Sequence, residues 1–300
     1  MSSFPGNILM CPVCRDRLDA GPTFTSETST QQGGRPRLLQ CQRGHRFDAA
    51  RQGYFNLLTG RGTGFEADTT AMVQARIDFL GGGHFGPLAD AVGRAAAECA
   101  VDNPVVLDAG AGTGYYLREL ERQVPVSAVV ALDISKFALR RAAKLLPDAL
   151  CLVWDVWRPL PVVDESVDLL INIFAPRNPD EFARVCREGG VLIVVTPLPQ
   201  HLQEISDVAG LLNIRSGKDD DVAAALTPDF TLAASRSVEF PMTLTPEDVQ
   251  NIAAMGPAGH HGASVRMDTL PERLRVTAAF TVQTFHRRRK EDSEKSTPVR

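Results

Sequence analysis

No stretch of the 300 residues approaches the ~20 apolar positions that a membrane span needs; the longest apolar run lies around Val191 to Val195. Met1 to Met10 lack the basic-then-apolar order of an export signal, so the expected compartment is the cytoplasm. Aromatic residues are few at 6%, and lysine is scarcer, with only Lys136, Lys144, Lys218, Lys290 and Lys295 among 32 basic residues. The net charge of -4 excludes a protein built wholesale for polyanions, while leaving room for a local basic face. Six cysteines in a reducing compartment read as metal ligands or buried thiols before disulfides. Against these shortages stand 44% hydrophobic and 23% charged residues, an ordinary globular composition with material for a sizeable core.

The first 60 residues differ from the rest. They hold seven arginines against four acids and few aliphatic runs. A segment so poor in apolar residues needs a staple. Cys11 and Cys14 form a tight C-x2-C pair, and Cys41 is followed by His45. Two such pairs suit a tetrahedral Zn2+ with no open position, hence a structural site. Cys99, Cys151 and Cys186 read as buried apolar groups. The polar stretch Gly21 to Pro36 has no predictable shape. Residues 61–103 read as a helical connector, with Asp68 capping a helix over Thr69 to Leu80 that Gly81-Gly82-Gly83 ends.

From residue 104 to 288 short apolar runs alternate with helix-period segments. Strands are expected at Val105 to Leu107, Val126 to Leu132, Leu150 to Trp154, Val167 to Ile173 and Val191 to Val195. Helices are expected at Tyr115 to Gln123, Lys136 to Leu146, Pro179 to Arg187, Leu198 to Leu212 and Pro246 to Met255, with β-like runs at Phe230 to Phe240 and Arg275 to Phe285. Such alternation predicts an α/β fold with a Rossmann-like, mostly parallel sheet. Residues 289–300 read as a charged, disordered tail.

The run Val105 to Gly114 is strand, glycine-rich turn, then helix start. A dinucleotide fingerprint needs glycine at 115, where Tyr115 stands. The pattern is instead Asp108-x-Gly110-x-Gly112-x-Gly114. An acid there suits S-adenosylmethionine, which carries a ribose, an ammonium and a sulfonium rather than a pyrophosphate. Asp133 ends the next strand, placed for ribose hydroxyls, and Asp155 follows the third, placed for adenine. Three acids at successive strand ends resemble the class I methyltransferase pattern. Strand four ends in Asn172, Phe174 and Pro176, where Phe174 would stack on a base and Asn172, or the backbone before Pro176, would read its edge. His84, His201, His260 and His261 are candidates to border the cleft, with His201 placed in the cofactor-binding set.

Taken together, Cys11 to Cys14, Cys41 to Asp48, Gly53 to Leu58, Met72 to Arg76, Phe79-Leu80, Gly83 to Leu88, Phe174-Ala175-Pro176 and Thr196 to Leu202 resemble the 23S rRNA (guanine-N1)-methyltransferase family, the RlmA and tylosin-resistance group. The resemblance runs from Cys11 to about Arg288. It implies a zinc-bearing N-terminal domain (residues 1–60) that helps hold a 23S rRNA hairpin, an S-adenosylmethionine-binding methyltransferase domain, and a homodimer. Two departures stand out: the Cys14 to Cys41 spacing is long for the family, and Met255-Gly256-Pro257 stands where the family shows Met-Thr-Pro. The arginine-for-lysine skew fits a GC-rich, actinobacterial genome and the Gram-positive branch, whose methylation contributes to macrolide resistance. From the residues alone, two alternatives stay open: a small-molecule methyltransferase, and a non-catalytic zinc-containing RNA-binding protein.

Overall fold

The computed structural model describes residues 8–20, 36–60, 63–99, 102–211, 214, 217–256 and 270–289. The expectations for Gly21 to Arg35, His260, His261 and the tail from Lys290 lie outside them.

Three short strands, β1 (Leu18–Ala20), β2 (Leu38–Cys41) and β3 (Arg46–Asp48), form an antiparallel sheet at the N-terminal end. The next strand, β4 (Tyr54–Asn56), leaves that sheet and pairs in parallel with β7 (Leu150–Val153). It is the outermost member of a larger sheet, although it lies within the first 60 residues. The remaining strands are β5 (Val105–Ala109), β6 (Ala128–Asp133), β8 (Val167–Ile173), β9 (Cys186–Pro197), β10 (Phe230–Leu244) and β11 (Leu274–Arg287). Their order is β10-β11-β9-β8-β5-β6-β7-β4. Strands β4 to β9 run parallel, while β11 and β10 are antiparallel additions at one side. The order reverses between β5 and β8, which opens a crevice at their carboxyl ends.

Period two along the strands decides what each face meets. Val106, Val129, Ala131, Ile171 and Ile193 face α1 (Thr70–Gly81), α2 (Gly86–Glu98), α3 (Tyr115–Glu121), α4 (Lys136–Leu145) and α7 (Pro246–Met255). Their neighbours Leu107, Val130, Leu170 and Leu192 face the other way, toward α5 (Pro179–Val185) and α6 (Lys218–Leu226). Leu9, Leu18, Leu39 and Phe47 of the N-terminal segment join that second cluster. The three leucines of that segment have no exposed surface, and each such burial is worth about 1.5–3 kcal/mol. The small sheet therefore shares a core with the large one.

Several local expectations change. Helix α1 is capped by Thr69, whose side chain accepts from the Met72 amide; Asp68 instead pairs with Arg76. The expected helix over Leu198 to Leu212 is, among the described residues, a run of turns with one 3-10 turn at Gln203–Ile205. Two of its backbone donors are drawn to β11, Leu198 N–H to Ala279 and Leu202 N–H to Thr277, while the others close short turns within the segment, such as His201 N–H to Leu198 and Ile205 N–H to Leu202. Helix α5 stops at Val185, because β9 already begins at Cys186.

Candidate functional site

At the N-terminal end the two ligand pairs meet. Cys11 N–H donates to the Asp16 carbonyl and Arg15 N–H returns to the Cys11 carbonyl, while Gly44, at φ +84°, turns the chain between Cys41 and His45. These tight turns aim the side chains inward. The ligand atoms of Cys11, Cys14, Cys41 and His45 all lie within 4.8 Å of one another. Cys14 Sγ is 3.6 Å from Cys41 Sγ, and His45 Nδ1 is 3.6 Å from Cys11 Sγ and 3.3 Å from Cys41 Sγ. Around a tetrahedral zinc with bonds of about 2.3 Å to sulfur and 2.0 Å to nitrogen, ligand atoms stand roughly 3.5–3.8 Å apart. The donor set fits zinc and leaves no place for a substrate. Arg43 bridges the two turns through Asp16 at 2.9 Å.

At the crevice, Asp108, Gly110, Gly112, Gly114 and Tyr115 follow one another from β5 into α3. Gly110 has φ +108°, and a Cβ there would stand 2.2 Å from the Ala175 Cβ, so the loop after β8 presses on this turn as only glycine allows. Asp108 is buried, and its Oδ1 has no hydrogen-bond partner. Burial, then the neighbouring Asp133 carboxylate, pushes its carboxyl well above the usual range. The Tyr116 hydroxyl is a second buried polar atom without a partner, and burial raises it likewise. Two orphaned polar atoms beside one glycine turn are a cost that a polar ligand relieves. S-adenosylmethionine, with its ammonium and hydroxyls, fits that demand.

Asp133 is half-buried and already engaged: Oδ2 accepts from Gly112 N–H at 2.8 Å and Oδ1 from Ser135 N–H at 2.7 Å. Beside it a cavity of about 430 Å3 opens between Asn56, Asp68, Thr69, Ile134, Phe137 and Val153. Arg76 of α1 roofs the turn, bonded to Asp68 and, at 2.8 Å, to the Met255 carbonyl of α7. Asp155, expected to meet adenine, already has protein partners on both oxygens. Its Oδ2 accepts from the Thr63 hydroxyl at 2.8 Å and its Oδ1 from Trp157 N–H at 3.0 Å, so this buried carboxylate braces two loops.

The acceptor side also differs from expectation. Asn172 is fully buried, and its Nδ2 donates to the carbonyls of Ala109 (2.7 Å) and Pro176 (3.0 Å). It therefore ties the end of β5 to the loop after β8 instead of reading a base. Phe174, at φ +54°, is lifted into solvent with 43% of its surface exposed. Its ring meets Tyr116 at 6.3 Å, Phe85 at 6.5 Å and Phe280 at 5.4 Å. Pro176 is exposed beside it.

His201 packs on Phe280 at 4.5 Å and on Phe85 at 6.0 Å, two rings that also meet Phe174. Burial lowers it to about 4, and its Nδ1 accepts from Ala279 N–H. The neutral ring then carries its proton on Nε2 and is a donor, not a base. His84 stacks on Phe79 and bonds Asp248 at 3.1 Å, which fastens α7 to the turn before α2. Tyr116 and Arg76 were absent from the site read off the sequence. The Tyr115-Tyr116 pair and the Met72 to Arg76 block were visible there, but neither spacing says what it faces.

Residues 9–60 match the zinc-ribbon model described as RlmA, N-terminal, and residues 106–190 match the model described as methyltransferase domain. The chain is 42% identical to a putative 23S rRNA (guanine-N(1)-)-methyltransferase of Micromonospora griseorubida, over 92% of this chain and 96% of that one. The chain belongs to the 23S rRNA (guanine-N1)-methyltransferase family. The 23S rRNA (guanine(748)-N(1))-methyltransferase of Streptomyces fradiae is 40% identical, with 84% of this chain and 86% of that one covered. In fold, a putative methyltransferase solved with the Haloferax volcanii Trm112 activator superposes with a TM-score of 0.52 at 18% identity, covering 75% of this chain and 100% of that one. As a member of this family the protein is an S-adenosylmethionine-dependent methyltransferase with a zinc ribbon. No helix among the described residues is long and apolar enough to cross a membrane.

Proposed function

We propose that the protein methylates N1 of a guanine in a hairpin loop of 23S rRNA. The observation that carries this reading is one shared core joining a zinc ribbon to a cofactor crevice whose buried Asp108 lacks a partner. The names of relatives matched over nearly the whole chain support the substrate. Asp108, Asp133, the glycine turn and Tyr115 would hold S-adenosylmethionine, with Arg76 offering a cation toward its carboxylate. The bound cofactor supplies an electrophilic methyl group.

Everything else is positioning. N1 lies on the Watson-Crick edge, so the guanine must be unpaired or extruded, at a cost of a few kcal/mol. Phe174 offers the face on which it stacks. Asn172 sets the distance between that face and the cofactor turn, because its amide bonds both. Good alignment of this kind is worth roughly 7–11 kcal/mol. His201, a donor in its neutral form, does not take the N1 proton.

The test is to map methylated nucleotides in 23S rRNA from cells with and without the gene, by mass spectrometry of nuclease digests. Loss of a single 1-methylguanosine on disruption is expected; unchanged rRNA would refute the reading. The resemblance to the tylosin-resistance group extends the proposal to macrolide resistance, for which tylosin sensitivity of the same disruption strain is the check. It extends also to a homodimer, checked by light scattering of the purified protein.

A further inference from the structure

Among the described residues, the aromatic side chains that stand largely in solvent are Phe65 at 55%, Trp157 at 50% and Phe174 at 43%. A protein with so few aromatic residues has put all three along the carboxyl ends of β7 and β8 and the segment leading to α1. Phe174 belongs to the acceptor mouth. The other two are stacked, with ring centroids 6.4 Å apart and planes 28° from parallel. They come from distant parts of the chain and are held together by polar contacts beneath them. Asp155 accepts from Thr63 and from the Trp157 amide, and Phe65 N–H donates to the Thr63 hydroxyl at 3.2 Å. A buried carboxylate thus braces two exposed apolar rings, an expensive arrangement for a surface with no partner.

The braced loop connects two sites. On one side Met10 N–H donates to the Pro161 carbonyl and Leu9 bridges to Val162, next to the Cys11 ligand. On the other, Asn178 Nδ2 donates to the Val156 carbonyl at 3.0 Å, next to the Phe174 loop. Arg177 lies in that second contact. Its Nη1 reaches only neutral acceptors, Asn172 Oδ1 at 3.4 Å and the Ala175 carbonyl at 3.3 Å. No carboxylate pairs with it among the described residues, and partial burial lowers its pKa with no anion to oppose the shift. A half-buried cation without a counter-charge is completed by an anion from outside. Stacking rings on one loop and an unpaired arginine on the loop bonded to it are what single-stranded nucleic acid binds, base on ring and phosphate on guanidinium.

Resting on the proposed rRNA substrate, we propose that Phe65 and Trp157 form a stacking platform for an unpaired nucleotide flanking the target guanine, and that Arg177 neutralises the phosphate between the two. The platform carries the strand from the zinc ribbon to Phe174. It explains why Asp155 braces the Trp157 and Thr63 loops and does not stand open for adenine.

The platform gives its own optical signal, because the protein has two tryptophans and the other, Trp154, is buried. With the zinc-loaded full chain and a 23S rRNA transcript, RNA should quench the exposed Trp157 fluorescence, and Trp157→Phe, which removes that fluorophore but keeps a ring, should abolish the quench and raise KM for the transcript less than Trp157→Ala does. Trp157→Ala and Phe65→Ala should raise KM for the transcript about ten- to hundredfold. Their S-adenosylmethionine affinity should stay within about twofold of the unsubstituted protein's, and their melting temperatures should be unchanged. Arg177→Gln should lower the salt dependence of RNA binding by about one phosphate contact. Unchanged KM for Trp157→Ala overturns the proposal. So does a loss confined to cofactor affinity, which would make the rings an adenine wall. If the unsubstituted protein transfers no methyl to the transcript, the function reading itself falls; if it does and the variants match it, only the platform falls.

Discussion

The zinc ribbon and the cofactor turn are both built from small, tightly turned backbone, yet they leave their polar atoms in opposite states. In the ribbon, three thiols and an imidazole face one another at 3.3–3.6 Å where contacts are measured, and a salt bridge spans the two turns. At the turn after β5, Asp108 Oδ1 and the Tyr116 hydroxyl are buried with nothing to bond. The closed site stabilises; the open one is destabilising until something binds. A buried polar group left without a partner costs about 1–3 kcal/mol, and binding sites are where proteins keep such costs.

The largest effect should come from opening the closed site. Structural zinc is worth on the order of 10 kcal/mol in small modules, comparable with the whole stability of a domain. Chelation, or Cys41→Ser, should therefore free Leu9, Leu18 and Leu39 from the strand face that they cover. A large fall in melting temperature and binding of a hydrophobic dye are expected, not a mere loss of RNA affinity.

Removing the ionisable group from the open site should act mainly on ligand binding. Asp108→Asn should weaken S-adenosylmethionine binding about a hundredfold or more in calorimetry, while sparing the unliganded protein the cost of ionising a buried carboxyl at high pH. The sign follows from linkage. A carboxyl whose folded pKa is raised binds extra protons in the folded state, so the unliganded protein loses stability as pH rises from the unfolded value through the folded one. The asparagine variant should flatten that slope.

Asn172 couples the two sides of the crevice. Asn172→Ala should lower kcat about ten- to hundredfold with little change in KM for the transcript, since it loosens alignment but keeps the Phe174 ring on which the base stacks. The smallest effect at neutral pH concerns His201. Its folded pKa, near 4 against an ordinary 6.5, means that stability is full above 6.5 and declines as pH falls toward 4. The loss is at most about 3 kcal/mol. His201→Phe should remove this acid sensitivity in denaturant melts without abolishing methyl transfer.

How much of this was legible in the sequence follows the range of the interactions. Strand β8 and helix α7 coincide with their expected limits because burial period and caps are local. The zinc ligands were readable for the same reason, since each pair must turn within a few residues. The run Leu198 to Leu212 misled because the Leu198 and Leu202 donors are claimed by β11, which arrives much later in the chain. Strand β4 escaped notice because three residues beside Gly53 carry no period. Asp155 and Asn172 sit where the class I pattern places working groups, but what each bonds is decided by Thr63, Trp157, Ala109 and Pro176, and spacing says nothing of those partners. The Phe65–Trp157 pair was illegible for the same reason.

The most direct test is methyl transfer itself. Purified, zinc-loaded protein is incubated with methyl-labelled S-adenosylmethionine and unmodified 23S rRNA, and the digested nucleosides are separated. Label in 1-methylguanosine alone, absent with Asp108→Asn, is the expected result. Label in any other nucleoside would contradict the proposed guanine-N1 acceptor, and full transfer by the Asp108 variant would contradict the assignment of that turn.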